Sequence, residues 1–172
     1  MSLGSKRSLT TRFGPTPLRD DEVAIKSYVD GVGVLKVVKS ADETLNNDDT
    51  LQNDDELFMP LLANRTYGFM LNLAQTTLAT ANIQYRWTLP AGATGEWTEG
   101  GTLRSDAATT LIDVTDTRDN APGDTALRMI NVVGFIIMGG TAGNMQFQWS
   151  QQTATVGNTT VNQGSSLIVW EQ

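Results

Sequence analysis

The sequence predicts an all-β protein: an antiparallel β-sandwich, jelly-roll-like, with an N-terminal extended arm and a short helix. Three observations carry this. From Val34 onward the apolar residues recur with a period of two, the mark of strands with one face on a core. Clusters of Gly, Asn, Asp, Thr and Pro interrupt the alternating runs, as turns do. Little of the chain carries helical spacing.

Taken in order, residues 1–33 form an anchoring arm and hinge. They hold two of the five prolines and the basic residues Lys6, Arg7, Arg12 and Arg19. In "RDDEVAIKSYVD", Val23, Ile25, Tyr28 and Val29 give a partial apolar face, with Asp20 as a cap, so one short helix is expected there. Gly31 and Gly33 supply the joint. Residues 34–172 form the sandwich. "VLKVVK" is its first strand, and "TLNNDDTLQNDDE" reads as a polar loop in which Leu45 and Leu51 tuck inward.

In "LFMPLLANRTYGFMLNLA", Tyr67, Phe69, Leu71 and Leu73 alternate with Gly68, Met70, Asn72 and Ala74. "NIQYRWTL" sets Ile83, Tyr85 and Trp87 against Gln84, Arg86 and Thr88, and "NMQFQWSQ" sets Met145, Phe147 and Trp149 against Gln146, Gln148 and Ser150. "LRMINVVGFIIMG" is more uniformly apolar. It reads as a central strand buried on both faces, with a bulge at Gly134. "SSLIVWEQ" closes a set of seven or eight strands.

Composition removes several kinds of chemistry. The 172 residues include no cysteine and no histidine, which excludes the usual zinc sites, thiol nucleophiles, Ser-His-Asp triads and disulfide frameworks. A net charge of −7 makes the chain a poor partner for nucleic acid. "MSLGSKRSLTTRF" lacks the apolar core of a signal peptide, and "MINVVGFIIMGG" is too short to span a bilayer. A soluble protein made in a cytoplasm, with no membrane partner, is the expectation.

What remains as candidate chemistry is sparse. Asp48, Asp49, Asp54, Asp55 and Glu56 offer oxygen ligands, but the spacing is not that of an EF-hand loop and the required glycine is missing. The segment therefore reads as a solvated loop, and no metal or cofactor is expected. Glu96 and Glu99 flank Trp97 and could be weighed as a glycosidase pair, although nineteen acids pair readily by chance. Trp87 and Trp149 have the phase of core residues. Trp97, within "GATGEWTEGG", has the loop context of a ligand contact, against the competing reading that it pins the loop. No catalytic residue is assigned and no enzyme is expected. "GVGVLK" lacks the strand and helix of a phosphate cradle, and the acceptor patterns at Asn64 and Asn158 are coincidental in a chain rich in Asn and Thr.

"LQNDDELFMPLLANRTYGFMLNL", "WTLPAGATGEW" and "TAGNMQFQWSQQTATVGNTTVNQGSSLIV" follow one another in an order that resembles structural proteins of tailed-bacteriophage virions. "PLRDDEVAIKSYVDG" is similar to junctions between tail-fibre segments, through Ala24, Lys26, Tyr28, Val29 and Asp30. The resemblance covers most of residues 17–170, and it lacks the long stalk of a fibre. It implies a virion protein made in the host cytoplasm, a head-decoration or short fibre subunit. It further implies a homotrimer whose partners are itself and other capsid or tail subunits. A host surface glycan is a further candidate partner, which would make the chain a carbohydrate- or receptor-binding module. Under that resemblance Arg7, Arg12 and Arg19 would dock on the particle, and Val23, Ile25, Tyr28 and Val29 would couple arm to head.

Overall fold

Alternating segments become strands in the structure, a computed structural model that describes residues 33–100, 112–113, 117–120 and 125–172. The strands are β1 (Val34–Val38), β2 (Glu43–Asn46), β3 (Gln52–Leu61), β4 (Thr66–Thr76), β5 (Ile83–Thr88) and β6 (Thr94–Gly100). They continue as β7 (Ile112–Asp113), β8 (Arg118–Asn120), β9 (Arg128–Ile137), β10 (Gly143–Gln151), β11 (Asn158–Val161) and β12 (Ser166–Glu171). No helix occurs among the described residues. The expected arm and short helix, with Arg7, Arg12, Arg19, Val23, Ile25, Tyr28 and Val29, lie outside them.

Asparagines do much of the turning. Asn47, Asn64 and Asn82 adopt φ of 54°, 58° and 51° between successive strands. Asn tolerates this left-handed region because its short side chain can hydrogen-bond locally.

The strands form two antiparallel sheets. The larger has the order β1-β12-β4-β9-β6-β7, with β11 pairing both β2 and β4; the smaller has the order β3-β10-β5-β8. The chain changes sheet on entering and on leaving each of β3, β5, β8 and β10. That alternation is the jelly roll, in which each sheet receives strands from both ends of the chain. Val34–Gln172 is one compact unit.

Between the sheets lies an aromatic core. Phe69 and Trp97 enter it from the larger sheet, and Tyr85, Trp87 and Phe147 from the smaller; all five are fully buried. Phe69 meets Trp87 edge-on with centroids 5.2 Å apart, and Trp87 meets Phe147 at the same distance. Tyr85 joins Phe147 at 5.7 Å and Trp97 at 5.8 Å. Each such pair adds about 0.5–1.5 kcal/mol to the burial of its rings.

Several expectations are corrected. The polar loop after β1 contains strand β2 and the start of β3, because backbone pairing with β11 and β10 outweighs its polar composition. "GATGEW" is not a loop either: Thr94 to Gly100 pair continuously with β9. β9 has no bulge at Gly134, since its register with β4 is unbroken from Thr66↔Ile137 to Gln75↔Arg128. Nor is β9 buried on both faces. Val132 and Ile136 are buried, whereas Val133 and Phe135 are half-buried and Ile137 is exposed.

A bulge lies in β3, where Gln146 and Gln148 of β10 face Phe58 and Asn53. Asp54 and Leu57 both point inward across it.

Candidate functional site

The larger sheet has two unlike faces. Toward the smaller sheet it presents Val169, Phe69 and Trp97 in one row and Leu167, Leu71 and Val132 in the next, all fully buried. The residues between them belong to the opposite face, because side chains alternate along each strand. There the cross-strand rows run Val34, Trp170, Gly68, Phe135, Glu96 and Lys36, Ile168, Met70, Val133, Thr98. The middle of this outer face is thus Trp170, Phe135, Ile168, Met70 and Val133, half-buried side chains held by their neighbours. Val34 and Ile137 at its margins are 63% and 49% exposed. An apolar sheet face bordered by charged Lys36 and Glu96 has the composition of an interaction surface. The indole of Trp170 lies over Gly68, where only glycine leaves room.

A second feature is ionic. Lys39 follows β1 in the phase of Val37, so its side chain points inward and is almost fully buried. Its Nζ donates to both carboxylate oxygens of Asp54 at 3.0 Å and to Glu43 Oε2 at 2.7 Å. Asp54 is also fully enclosed, and its Oδ1 accepts the backbone N–H of Glu56 at 3.0 Å and of Leu57 at 2.8 Å, which closes the β3 bulge. Glu43 Oε2 accepts the Asp55 N–H at 3.1 Å. Burial pulls the Lys39 pKa down, but its bonds to Glu43 and Asp54 outweigh this and hold it above the ordinary value. Burial holds the Glu43 carboxyl above the ordinary carboxylate range against the pull of Lys39.

A third cluster joins the sheets. The Tyr85 hydroxyl donates to Glu99 Oε1, and Arg118 stands 3.5 Å from the same oxygen.

The structure separates the candidate residues that sequence brought together. Trp97 is no surface contact: its ring is fully buried in β6 against Tyr85, and its N–H donates to the Asp113 carbonyl at 3.2 Å. Glu96 and Glu99, three positions apart on that strand, point to opposite faces, so they do not converge as a glycosidase pair. Asp48 caps its own turn by accepting the Thr50 N–H at 2.8 Å, while Asp54 turns inward to Lys39. Among the described residues no group of three or more His, Cys, Asp or Glu is placed to hold a metal ion. Sequence reasoning passed over Lys39. The signal was its phase, since a lysine at a core position requires a carboxylate partner.

The sequence matches no known protein-family profile and no curated protein. Among solved structures the chain is similar to one described as the structure of infectious bursal disease virus Gt strain, at 8% identity and a TM-score of 0.18. That alignment takes in 81% of this chain and 39% of the other, so this chain spans about two fifths of its length. A TM-score this low carries no argument about role.

Proposed function

We propose that the chain is a non-enzymatic structural subunit of a bacteriophage virion, a head-decoration or short fibre protein. Its N-terminal arm attaches to the particle and its jelly roll assembles as a homotrimer. The observation that carries the reading is the apolar outer face formed by Trp170, Ile168, Met70, Val133 and Phe135. A second copy of the chain is the occupant that suits it, because the face is nearly uncharged at its centre and would repel nothing in a copy of itself. The ordered resemblance to phage structural proteins supports the same reading from sequence. Arg7, Arg12 and Arg19 would meet the particle, and Val23, Ile25, Tyr28 and Val29 would couple arm to head.

The second reading, a carbohydrate-binding head, rested on Trp97, and the burial of that ring removes its platform.

Light scattering on the full chain tests the proposal. The expected mass is three times that of the chain, kept on deletion of residues 1–33. Met70→Lys with Ile168→Lys should give a folded monomer. A wild-type chain that stays monomeric at high concentration would sink the trimer. Polar replacement of Val23, Ile25, Tyr28 and Val29 should leave the head folded and prevent incorporation into particles.

A further inference from the structure

The buried Lys39–Asp54–Glu43 cluster is built as a reaction centre as well as an ion pair. We propose that Lys39 Nζ and Asp54 Cγ join in an intramolecular amide bond, with Glu43 as the proton carrier. The sandwich would thus be stapled covalently between the residue that follows β1 of one sheet and β3 of the other.

Each part of the chemistry has a residue in place. Nζ lies 3.0 Å from both carboxyl oxygens of Asp54, so the nucleophile is held against the carbon between them. Fixing two reactants in this way removes most of the entropic barrier to their combination. Asp54 Oδ1 already accepts two backbone N–H groups, from Glu56 and Leu57. Those donors would bind the oxyanion that forms there as the amine adds, the arrangement that stabilises tetrahedral intermediates in acyl transfer. Glu43 Oε2 sits 2.7 Å from Nζ, within reach of the proton the amine must lose.

The protonation states required are accessible for a physical reason. One cation and two carboxylates share an enclosed space, which leaves an excess negative charge that burial disfavours. A proton on Glu43 relieves it, in line with the raised pKa of that carboxyl. Lys39 must also give up a proton against the bonds to Glu43 and Asp54 that hold it, so the neutral amine is the reactive minority and the reaction is slow.

The step balances without any co-reactant. Neutral Lys39 adds through its lone pair to Cγ of protonated Asp54, and a C–N bond forms. Protonated Glu43 gives its proton to the departing Oδ2 hydroxyl and takes one back from the nitrogen. The Cγ–Oδ2 bond breaks, water leaves, and Glu43 is regenerated. The amide closes the chain segment that contains β2 and constrains the strand next to Gly33. The inference does not depend on the trimer.

Intact-mass spectrometry of the full chain, followed by proteolytic mapping, decides the matter. The expected mass is lower than the sequence requires by one water, about 18 Da, with the peptides carrying Lys39 and Asp54 recovered as one branched species. Lys39→Arg keeps the charge but cannot form the amide, so it should have its full mass. Glu43→Gln should also stay at full mass while folded. Asp54→Asn should lose ammonia instead, about 17 Da. A wild-type chain at full mass after prolonged incubation, with Lys39 and Asp54 in separate peptides, would overturn the proposal and leave a permanent ion pair. A water loss that persists in Glu43→Gln would overturn the role given to Glu43.

Discussion

The indole of Trp170 rests on the bare backbone of Gly68, so that a Cβ added at residue 68 would come within 2.6 Å of its Nε1 and closer still to the ring carbons. The two residues are cross-strand partners on the outer face of the larger sheet. Trp170 ends a half-exposed side chain and can swing away. Gly68→Ala should therefore cost less than about 1 kcal/mol in stability, below the usual penalty for overpacking. It should still displace the ring, shift tryptophan emission and weaken self-association. Unchanged emission and unchanged mass by light scattering would show that Trp170 takes no part in the interface.

Gly134 makes the contrasting case. A Cβ there would run into the carbonyl oxygen of Glu96, which belongs to a paired strand, and stand 2.7 Å from the Phe69 ring in the core. Neither neighbour can retreat without breaking the register of β6 with β9 or the contact of Phe69 with Trp87. Gly134→Ala should cost about 1–3 kcal/mol, clearly more than Gly68→Ala. Denaturant melts of the two variants side by side give the order, and the reverse order would contradict the packing described.

Much of this fold was legible in the chain, and the misses have physical causes. Tyr85, Trp87, Phe147 and Trp149 announced themselves because a one-sided strand writes its burial in alternation. β2 and β6 went unseen because Glu43–Asn46 and Thr94–Gly100 are polar or rich in glycine, and they are strands through their partners β11 and β9. Gly134 suggested a bulge, yet it serves close approach between strands. The β3 bulge at Asp54 depends on a lysine fifteen residues away in sequence, which no local pattern reports. The apolar outer face was not legible in the chain, because the alignment of Ile168 and Trp170 with Met70, Val133 and Phe135 needs the strand order.

Trp97 should be spectroscopically silent toward ligands. Its ring is enclosed and its N–H is bonded to Asp113. Iodide should fail to quench its emission, and glycan addition should leave that component unchanged. Trp97→Phe would lose the hydrogen bond and part of the packing with Tyr85, at a cost of about 1–3 kcal/mol. Efficient quenching of the Trp97 component would mean that β6 opens in solution.

Alkaline pH should expose the role of Tyr85. Its hydroxyl is enclosed and donates to Glu99; burial first, then the neighbouring carboxylate charge and that hydrogen bond, raise its pKa far above the usual tyrosine range. The folded chain thus keeps this proton at pH values where the unfolded chain releases it, near pH 10. The unfolded state then binds fewer protons, so stability contributed by Tyr85 is complete below pH 10 and falls as pH rises beyond it. The decline approaches about 1.4 kcal/mol per pH unit for one such group. Tyr85→Phe should remove that part of the slope and lower the neutral-pH plateau by about 1–3 kcal/mol, since Glu99 loses a buried donor and keeps Arg118. Lys39, where it remains an amine, adds a decline of the same sign above its ordinary value of 10.5. The difference between wild type and Tyr85→Phe isolates the tyrosine, because Lys39 is common to both. Parallel curves from pH 9 to 11 would show that the Tyr85 proton is not held by the fold.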